Sequence, residues 1–287
     1  MSGATPMSPE KGTLYLVATP IGAARDITLR ALDLLEGADV LAAEDTRVLR
    51  RLMEIHGIPL GDRPIWPYHD HNGPEMRPKI LAALRDGKSV AYVSDAGTPM
   101  VADPGYRLVK EVSDAGLPVR SAPGPSAALA ALTVAGLPSD RFLFEGFLPP
   151  QDGAARRILE DLARVPATLI FFETPGRLEK FLSRAVDVLG EDRPAAICRE
   201  LTKRFEEVSR GTLGALKETV NQMTLKGEAV VLVGYLEQVV DQATVEKDLV
   251  AAMETHRLKD AAALVAERHG WSRRDVYQLA LEMKDRS

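Results

Sequence analysis

"SVAYVSDAGTPMVADPGYRLVKEV" runs from Ser89 to Val112 and reads as a single strand-to-helix crossing. "SVAYV" has the apolar, β-prone character of a strand interior, and "YRLVKEV" has helical spacing. Between them, Ser94 to Gly105 hold two glycines, two prolines and two aspartates. Gly97 can take a positive φ and bring backbone close to a ligand. Pro99 stiffens the turn, and Ser94, Asp95 and Thr98 offer short polar groups. Such a crossing either satisfies its own backbone as an Asx-type turn or holds a ligand with its amides and carbonyls.

Working outward, the same alternation repeats through the first half. "LYLVATP", "DVLAAED", "PIWPYHD", "SVAYVSD" and "PVRSAPG" are strand-like. Helix-like stretches separate them: "DITLRALDLLEGA", Thr46 to His56, Pro74 to Arg85, and the residues after Pro104. This β-α repetition predicts a mostly parallel sheet wrapped by helices. "LYLVA" and "VLAA" are apolar without alternation, as strands covered on both faces should be. Ser126 sits at an N-cap position after the Pro-Gly-Pro breaker of "APGPSAALAALTVAG". Beyond it, "RFLFEGFLP", "ATLIFFET", "PAAICREL", "EEVSRGTL" and "EAVVLVGYL" predict a mixed sheet with antiparallel pairs. After Gln242 only short helical pieces remain. The fold class is therefore α/β: a tail over 1–10, α/β domains over 11–123 and 124–240, and a helical module over 241–287.

The chain has 287 residues, 45% apolar and 27% charged, with a net charge of −5. That is ordinary globular composition. A negative body excludes nucleic-acid binding over the whole surface, so any polyanion must meet local basic patches. The segment from Val245 to Ser287 carries eight Lys/Arg and eight Asp/Glu, so the preceding part holds the whole −5. The first ten residues lack the basic start and apolar run of a signal peptide, and no run is long enough for a membrane span. The one cysteine, Cys198, cannot staple a secreted fold, which predicts a cytoplasmic protein. It reads as a small core residue rather than a nucleophile.

Three crossings in the first half share one character. "ATPIG", "SDAGTP" and "PGPSA" each end a strand and each supply Gly, Pro and small polar groups. No G-x-G-x-x-G follows the first strand and no G-x-x-x-x-G-K-[ST] occurs, so dinucleotide and P-loop sites are unsupported. Backbone-rich walls with few charged side chains suit a zwitterion carrying an adenine and a sulfonium.

"TPIG…DITLRAL", "AAEDTR", "HDHN", "SDAGTP…DPGYRLV", "PGPSA", "GLPSDRFLFEGFLP" and "RELTKRFEE" together resemble the tetrapyrrole methylase family. More narrowly they resemble its bacterial branch that 2′-O-methylates a cytidine of 16S ribosomal RNA. The similarity runs in order from about Gly12 to the C-terminus. One departure is visible: Gly22-Ala23-Ala24 stands where that branch carries Gly-Asn-Leu. The resemblance implies S-adenosylmethionine as cofactor, held in a cleft between two α/β domains, without metal. It implies contacts from Pro20, Ser94, Asp95, Ala96, Gly97, Thr98, Ser126 and Ala127. From the second domain it implies Phe171, Phe172, Leu201, Glu228 and Ala229, although strand alternation sends one of the two phenylalanines into the core whatever the other does. It also implies 16S rRNA or the small ribosomal subunit as partner, and a homodimer.

A ribose hydroxyl is a poor nucleophile and needs a base in reach. Glu44-Asp45-Thr46-Arg47 ends the second strand, and His69-Asp70-His71-Asn72 ends the third. Glu44, Arg47 and His69 are the catalytic candidates. Asp45 is equally a natural N-cap for the following helix. His69 and His71 share a face but lack further metal ligands. Asp103 either caps the helix behind Gly105 or faces the cleft. The last three helical pieces resemble a helix-turn-helix, with Gly270 at a C′ position and Ser272 at an N-cap. They form either a solvated cap or an RNA-docking module using Arg268, Arg273 and Arg274. A methylase of tetrapyrroles or other small molecules, and a non-catalytic RNA-binding factor, are the competing readings.

Overall fold

A computed structural model describes residues 6–69, 71–221, 227–236, 242–269 and 271–286. The chain through Tyr235 is one compact unit and the chain from Leu236 is another. Residues 1–5 lie outside those described. From residue 6 the chain is held: the Met7 N–H donates to Asp33 at 2.9 Å, and Arg120 pairs with Glu10 at 2.7 Å. The expected tail over 1–10 thus includes two residues, Met7 and Glu10, that bond to the first domain.

The first sheet contains β1 (Leu14–Val17), β2 (Val40–Ala43), β3 (Ile65–Pro67), β4 (Val90–Val93) and β5 (Val119–Ala122), in the order β3-β2-β4-β1-β5. Every pairing is parallel. Alternation divides the strands between two cores. Tyr15, Val17, Leu41, Ala43, Ala91 and Val93 pack with α1 (Leu29–Gly37) and α2 (Thr46–Ile55). Leu14, Val40, Ala42, Val90 and Tyr92 pack with α3 (Gly73–Arg85) and α4 (Tyr106–Asp114). Burial on both faces is why these strands read as continuous apolar runs.

The second sheet contains β6 (Phe142–Phe147), β7 (Thr168–Glu173), β8 (Pro194–Arg199), β9 (Glu207–Thr212) and β10 (Ala229–Val233), in the order β6-β7-β10-β8-β9. Only β6 and β7 run parallel; the other pairs are antiparallel. One face packs α6 (Asp152–Leu162), α7 (Pro175–Leu189) and α8 (Leu213–Asn221) through Leu169, Phe171, Ile197 and Val231. The other face packs α5 (Ala127–Ala135) through Ile170, Ala196, Cys198 and Leu232. Ala128, Ala131 and Ala135 let that helix lie close to the sheet, which brings its N-terminal residues Ser126 and Ala127 to the strand ends. The expected halves 11–123 and 124–240 each hold one sheet, within the compact unit that ends at Tyr235.

The second unit has its own core. Val245 and Leu249 of α9 (Gln242–Met253) meet Ala261 and Val265 of α10 (Leu258–His269) and Val276 and Ala280 of α11 (Arg273–Arg286). The Asp275 N–H donates to Ser272 Oγ at 3.3 Å, so Ser272 caps α11 as its position suggests. Gly270, expected at a C′ position, lies outside the described residues. Among the described residues no helix is long and apolar enough to cross a membrane.

Candidate active site

Because the first sheet is wholly parallel, all its strands end on one side, where ligands of α/β proteins collect. The three small-residue crossings leave β1, β4 and β5 there and are bonded to one another. The Thr19 N–H donates to the Gly97 carbonyl at 2.9 Å, and the Gly97 N–H returns a bond to the Thr19 carbonyl at 3.0 Å. Thr19 Oγ1 donates to the Ser94 carbonyl, also at 2.9 Å. Thr98 Oγ1 donates to the Pro125 carbonyl at 2.9 Å, which ties in the third crossing. Gly97 has φ +79°, and a Cβ there would stand 3.4 Å from Ile21 Cγ2.

Past Gly97 the loop is strained. Met100 (φ 70°) and Ala102 (φ 60°) occupy the left-handed region, at a cost of about 1–3 kcal/mol each. Tyr92 Oη holds the loop by donating to the Pro104 carbonyl at 2.8 Å. Ser94 Oγ donates to the Asp103 carboxylate and contacts the Ala96 carbonyl. These restraints turn Asp103 into the cleft rather than onto α4, whose N-cap is Gly105.

The cleft itself measures about 280 Å³. The first sheet contributes Ala96, Gly97, Thr98 and Asp103. Ser126 and Ala127 come from the N-terminus of α5, and Phe172, Leu201, Glu228 and Ala229 from the second sheet and its turns. Phe171 points the other way, fully buried against Phe181. Phe172 packs edge-on to Phe144 and Phe147 at centroid distances of 4.9 and 5.7 Å, giving an aromatic wall. Three of the expected contacts lie elsewhere. Pro20 and Asp95 line a separate, more open hollow, and Ser94 is buried, reaching the cleft through its bonds to Asp103 and the Ala96 carbonyl.

Ile21, Phe147, Glu173 and Cys198 also line the cleft, and sequence reasoning did not place them there. Glu173 could have been found as the one charge ending the apolar run "TLIFFE". It is 3% exposed, and burial raises its pKa, opposed by the Thr174 N–H at 3.0 Å and by Arg177 at 3.2 Å. Burial likewise raises Asp103. Two desolvated carboxylates beside backbone amides and an aromatic wall suit a ligand with a cationic centre, a carboxylate and a flat ring. Cys198 is buried, and its thiol is pushed up to about 11 by desolvation, so it stays protonated at neutral pH and is inert.

The hollow, of about 520 Å³, is lined by Thr19, Pro20, Gly22, Asp45, Arg47, Arg51 and Asp95 among others. Asp45 caps α2, accepting the Arg47 N–H at 2.8 Å. The Arg47 guanidinium, 2.6 Å away, is the main cause that holds the Asp45 carboxyl at about 2. Arg47 is otherwise open to solvent. The carboxyl end of β2 also presents Glu44, which is half-buried. The Tyr68 N–H donates to the Ala43 carbonyl at 2.8 Å, so Glu44 and His69 leave adjacent strand ends. His69 is held in a local turn: its N–H donates to Asn72 Oδ1 at 2.9 Å, and its Nδ1 accepts from the Asn72 N–H at 3.3 Å. The His71 ring lies edge-on to it at 5.9 Å. Asp70 is outside the described residues. Neither Glu44 nor His69 lines the cleft, and Arg47 lines the hollow and a neighbouring depression along α2 but not the cleft.

A parallel sheet, a mixed sheet and a backbone-rich cleft where they meet define a class, and the chain matches its family model. Residues 13–217 match the Tetrapyrrole (Corrin/Porphyrin) Methylases model, and the chain belongs to that family. Residues 239–284 match the RsmI C-terminal HTH domain. The chain is 51% identical to the ribosomal RNA small subunit methyltransferase I of Mesorhizobium japonicum, over 98% of this chain and 96% of the relative. It is 44% identical to the protein of the same name from Escherichia coli O157:H7, over 96% of each. A solved uroporphyrin-III C-methyltransferase from Thermus thermophilus, complexed with S-adenosylhomocysteine, superposes with TM-score 0.55. That pair is 25% identical, over 77% of this chain and 97% of that one.

Proposed function

We propose that this chain is a methyltransferase that moves a methyl group from S-adenosylmethionine to the ribose 2′-hydroxyl of a cytidine in 16S rRNA. The observation that carries this reading is the near full-length similarity to ribosomal RNA small subunit methyltransferases, joined to a cleft whose donor set fits the cofactor. The amides of Ala96, Thr98 and Ala127 would hold the methionine part, with the Gly97 amide, bonded to Thr19, fixing the turn between them. Asp103 and Glu173 would complement its positive charge, and Phe172, Leu201 and Ala229 would take the adenine. When bound, S-adenosylmethionine supplies a sulfonium-activated methyl group.

The chain's own work is to place and deprotonate the acceptor. Glu44 is the base candidate, beside the open hollow where Arg47 and Arg51 meet a phosphate. Holding the hydroxyl in line supplies much of the rate, and a carboxylate within hydrogen-bond reach contributes about 10²–10⁴-fold. The helix-turn-helix match favours RNA over a small-molecule acceptor, which needs no such module. We also take the protein to act in the cytoplasm, as a homodimer.

A 2′-O-methyl group blocks alkaline cleavage at its own phosphodiester. Small ribosomal subunits methylated by the pure protein should therefore show one new alkali-resistant cytidine in 16S rRNA. A modified site that mild alkali still cleaves would remove the ribose assignment. Glu44→Gln should slow single-turnover transfer at least about tenfold while cofactor affinity stays within twofold; an unchanged rate would dismiss Glu44 as the base.

A further inference from the structure

The turn between β8 and β9, Glu200 to Glu206, is built more rigidly than a connection requires. Glu200 (φ 49°) and Thr202 (φ 64°) both sit in the left-handed region, which side chains other than glycine occupy at a cost. The turn is braced internally and from both sides. The Thr202 N–H donates to Glu206 at 2.6 Å, and Lys203 Nζ bridges Glu200 and Glu228 at 3.0 and 3.1 Å. The Ala23 N–H of the first crossing donates to Thr202 Oγ1 at 3.0 Å. Gly22 comes so near that a Cβ there would stand 2.6 Å from Thr202 Oγ1 and 2.7 Å from Lys203 Cγ.

This brace holds an aromatic ring out in water. Phe205 is 69% exposed, and the Arg204 guanidinium lies over its face at 5.4 Å. A single exposed apolar side chain is ordinary. A phenylalanine on a strained turn tied at Glu200, Thr202, Lys203 and Glu206 is different, because the backbone on both sides of it is held before any partner arrives. The turn also adjoins the reacting region twice: Leu201 lines the cleft, and Gly22, which Thr202 and Lys203 touch, lines the hollow. Lys203 is neutralised by its two glutamates, whereas Arg204 has no acidic partner among the described contacts. An open ring beside an uncompensated guanidinium complements a flat base on an anionic backbone.

We propose that Arg204 and Phe205 form a stacking platform for an unpaired base of the RNA substrate, next to the nucleotide being methylated. This rests on the reading of the protein as an RNA methyltransferase. Stacking on an aromatic side chain contributes about 1–3 kcal/mol per base. It would hold the strand in register while the target ribose enters the hollow.

The test compares Phe205→Ala, Phe205→Trp and Arg204→Ala with wild type. Cofactor affinity is read by calorimetry, and KM and kcat with small ribosomal subunits. Phe205→Ala should raise KM for the subunit about tenfold, with kcat and cofactor affinity within twofold. Phe205→Trp should restore KM, and its added fluorescence should be quenched by 16S rRNA. Arg204→Ala should weaken RNA binding and lower its salt slope by about 1. An unchanged KM in Phe205→Ala, an equal loss of cofactor affinity, or conversion of a dimer to monomers would overturn the platform. If wild type methylates no RNA, the functional reading fails by itself, and quenching of the Phe205→Trp signal by rRNA still decides the platform for or against.

Discussion

At the scale of single residues, the cleft is governed by a glycine and a buried acid. Gly97 lies at φ +79° with its amide and carbonyl both bonded to Thr19. Valine there would add backbone strain of about 1–2 kcal/mol and push methyl groups toward Ile21 and the cleft. We expect Gly97→Val to fold with a lowered Tm and to lose at least about tenfold in S-adenosylmethionine affinity by calorimetry. A folded variant with unchanged affinity would mean that the crossing is no cofactor wall. Glu173 gives a prediction with a pH sign. Its folded pKa is raised by burial, so its favourable contribution exists below the unfolded value and is lost as pH rises through the folded one. Glu173→Gln keeps an acceptor for the Thr174 N–H and removes the buried charge. It should therefore melt higher than wild type at pH 8, by about 2–4 °C per kcal/mol, with the gap closing toward pH 4. It should also bind the cofactor more weakly at pH 8. A variant less stable than wild type at pH 8 would show that the ion pair with Arg177 outweighs the desolvation.

Among the elements, the C-terminal helices invite separation from the rest. Their core is self-contained, and every cleft residue lies before Tyr235. Arg273 and Arg274 are exposed at the start of α11, beside Tyr277, whereas Arg268 is engaged by Asp248 at 3.1 Å. Of the three arginines expected to dock RNA, the two on α11 are thus the freer. Ending the chain after Leu236 should leave cofactor affinity within twofold while methylation of subunits falls at least tenfold. The salt dependence of RNA binding should flatten as phosphate contacts are lost. A truncated protein of full activity would reduce these helices to a cap.

Over the whole molecule, charge and assembly bear on one another. A body of net charge −5 meets a polyanion only through local patches, and the exposed arginines of α2, where Arg47 and Arg51 are paired with Asp45 and Glu54, those of α11 and the Arg204 turn are three such patches. Two copies would double that footprint. Sedimentation at micromolar concentration should give about twice the mass of the 31.2 kDa chain; a monomer that is fully active would remove the homodimer.

The sequence by itself determined the elements, their order and their sheet types. It also determined that Ser126 and Ser272 stand at helix starts. These follow from the spacing of apolar residues and the positions of Gly, Pro and small polar groups, which act over a few residues. It also carried the family, because "SDAGTP", "PGPSA" and "RELTKRFEE" survive as contiguous strings. Only the tertiary structure decided which side chains share a surface. Phe171 and Phe172 read alike in the chain, yet pairing within the second sheet sends one to the core and the other to the cleft. Asp95 and Asp103 both sit in the opening stretch; the left-handed turns at Met100 and Ala102 swing only the second into the cleft. The approach of Gly22 to Thr202 joins residues about 180 positions apart. No local pattern encodes such a contact, because its energy exists only once both sheets have folded and met.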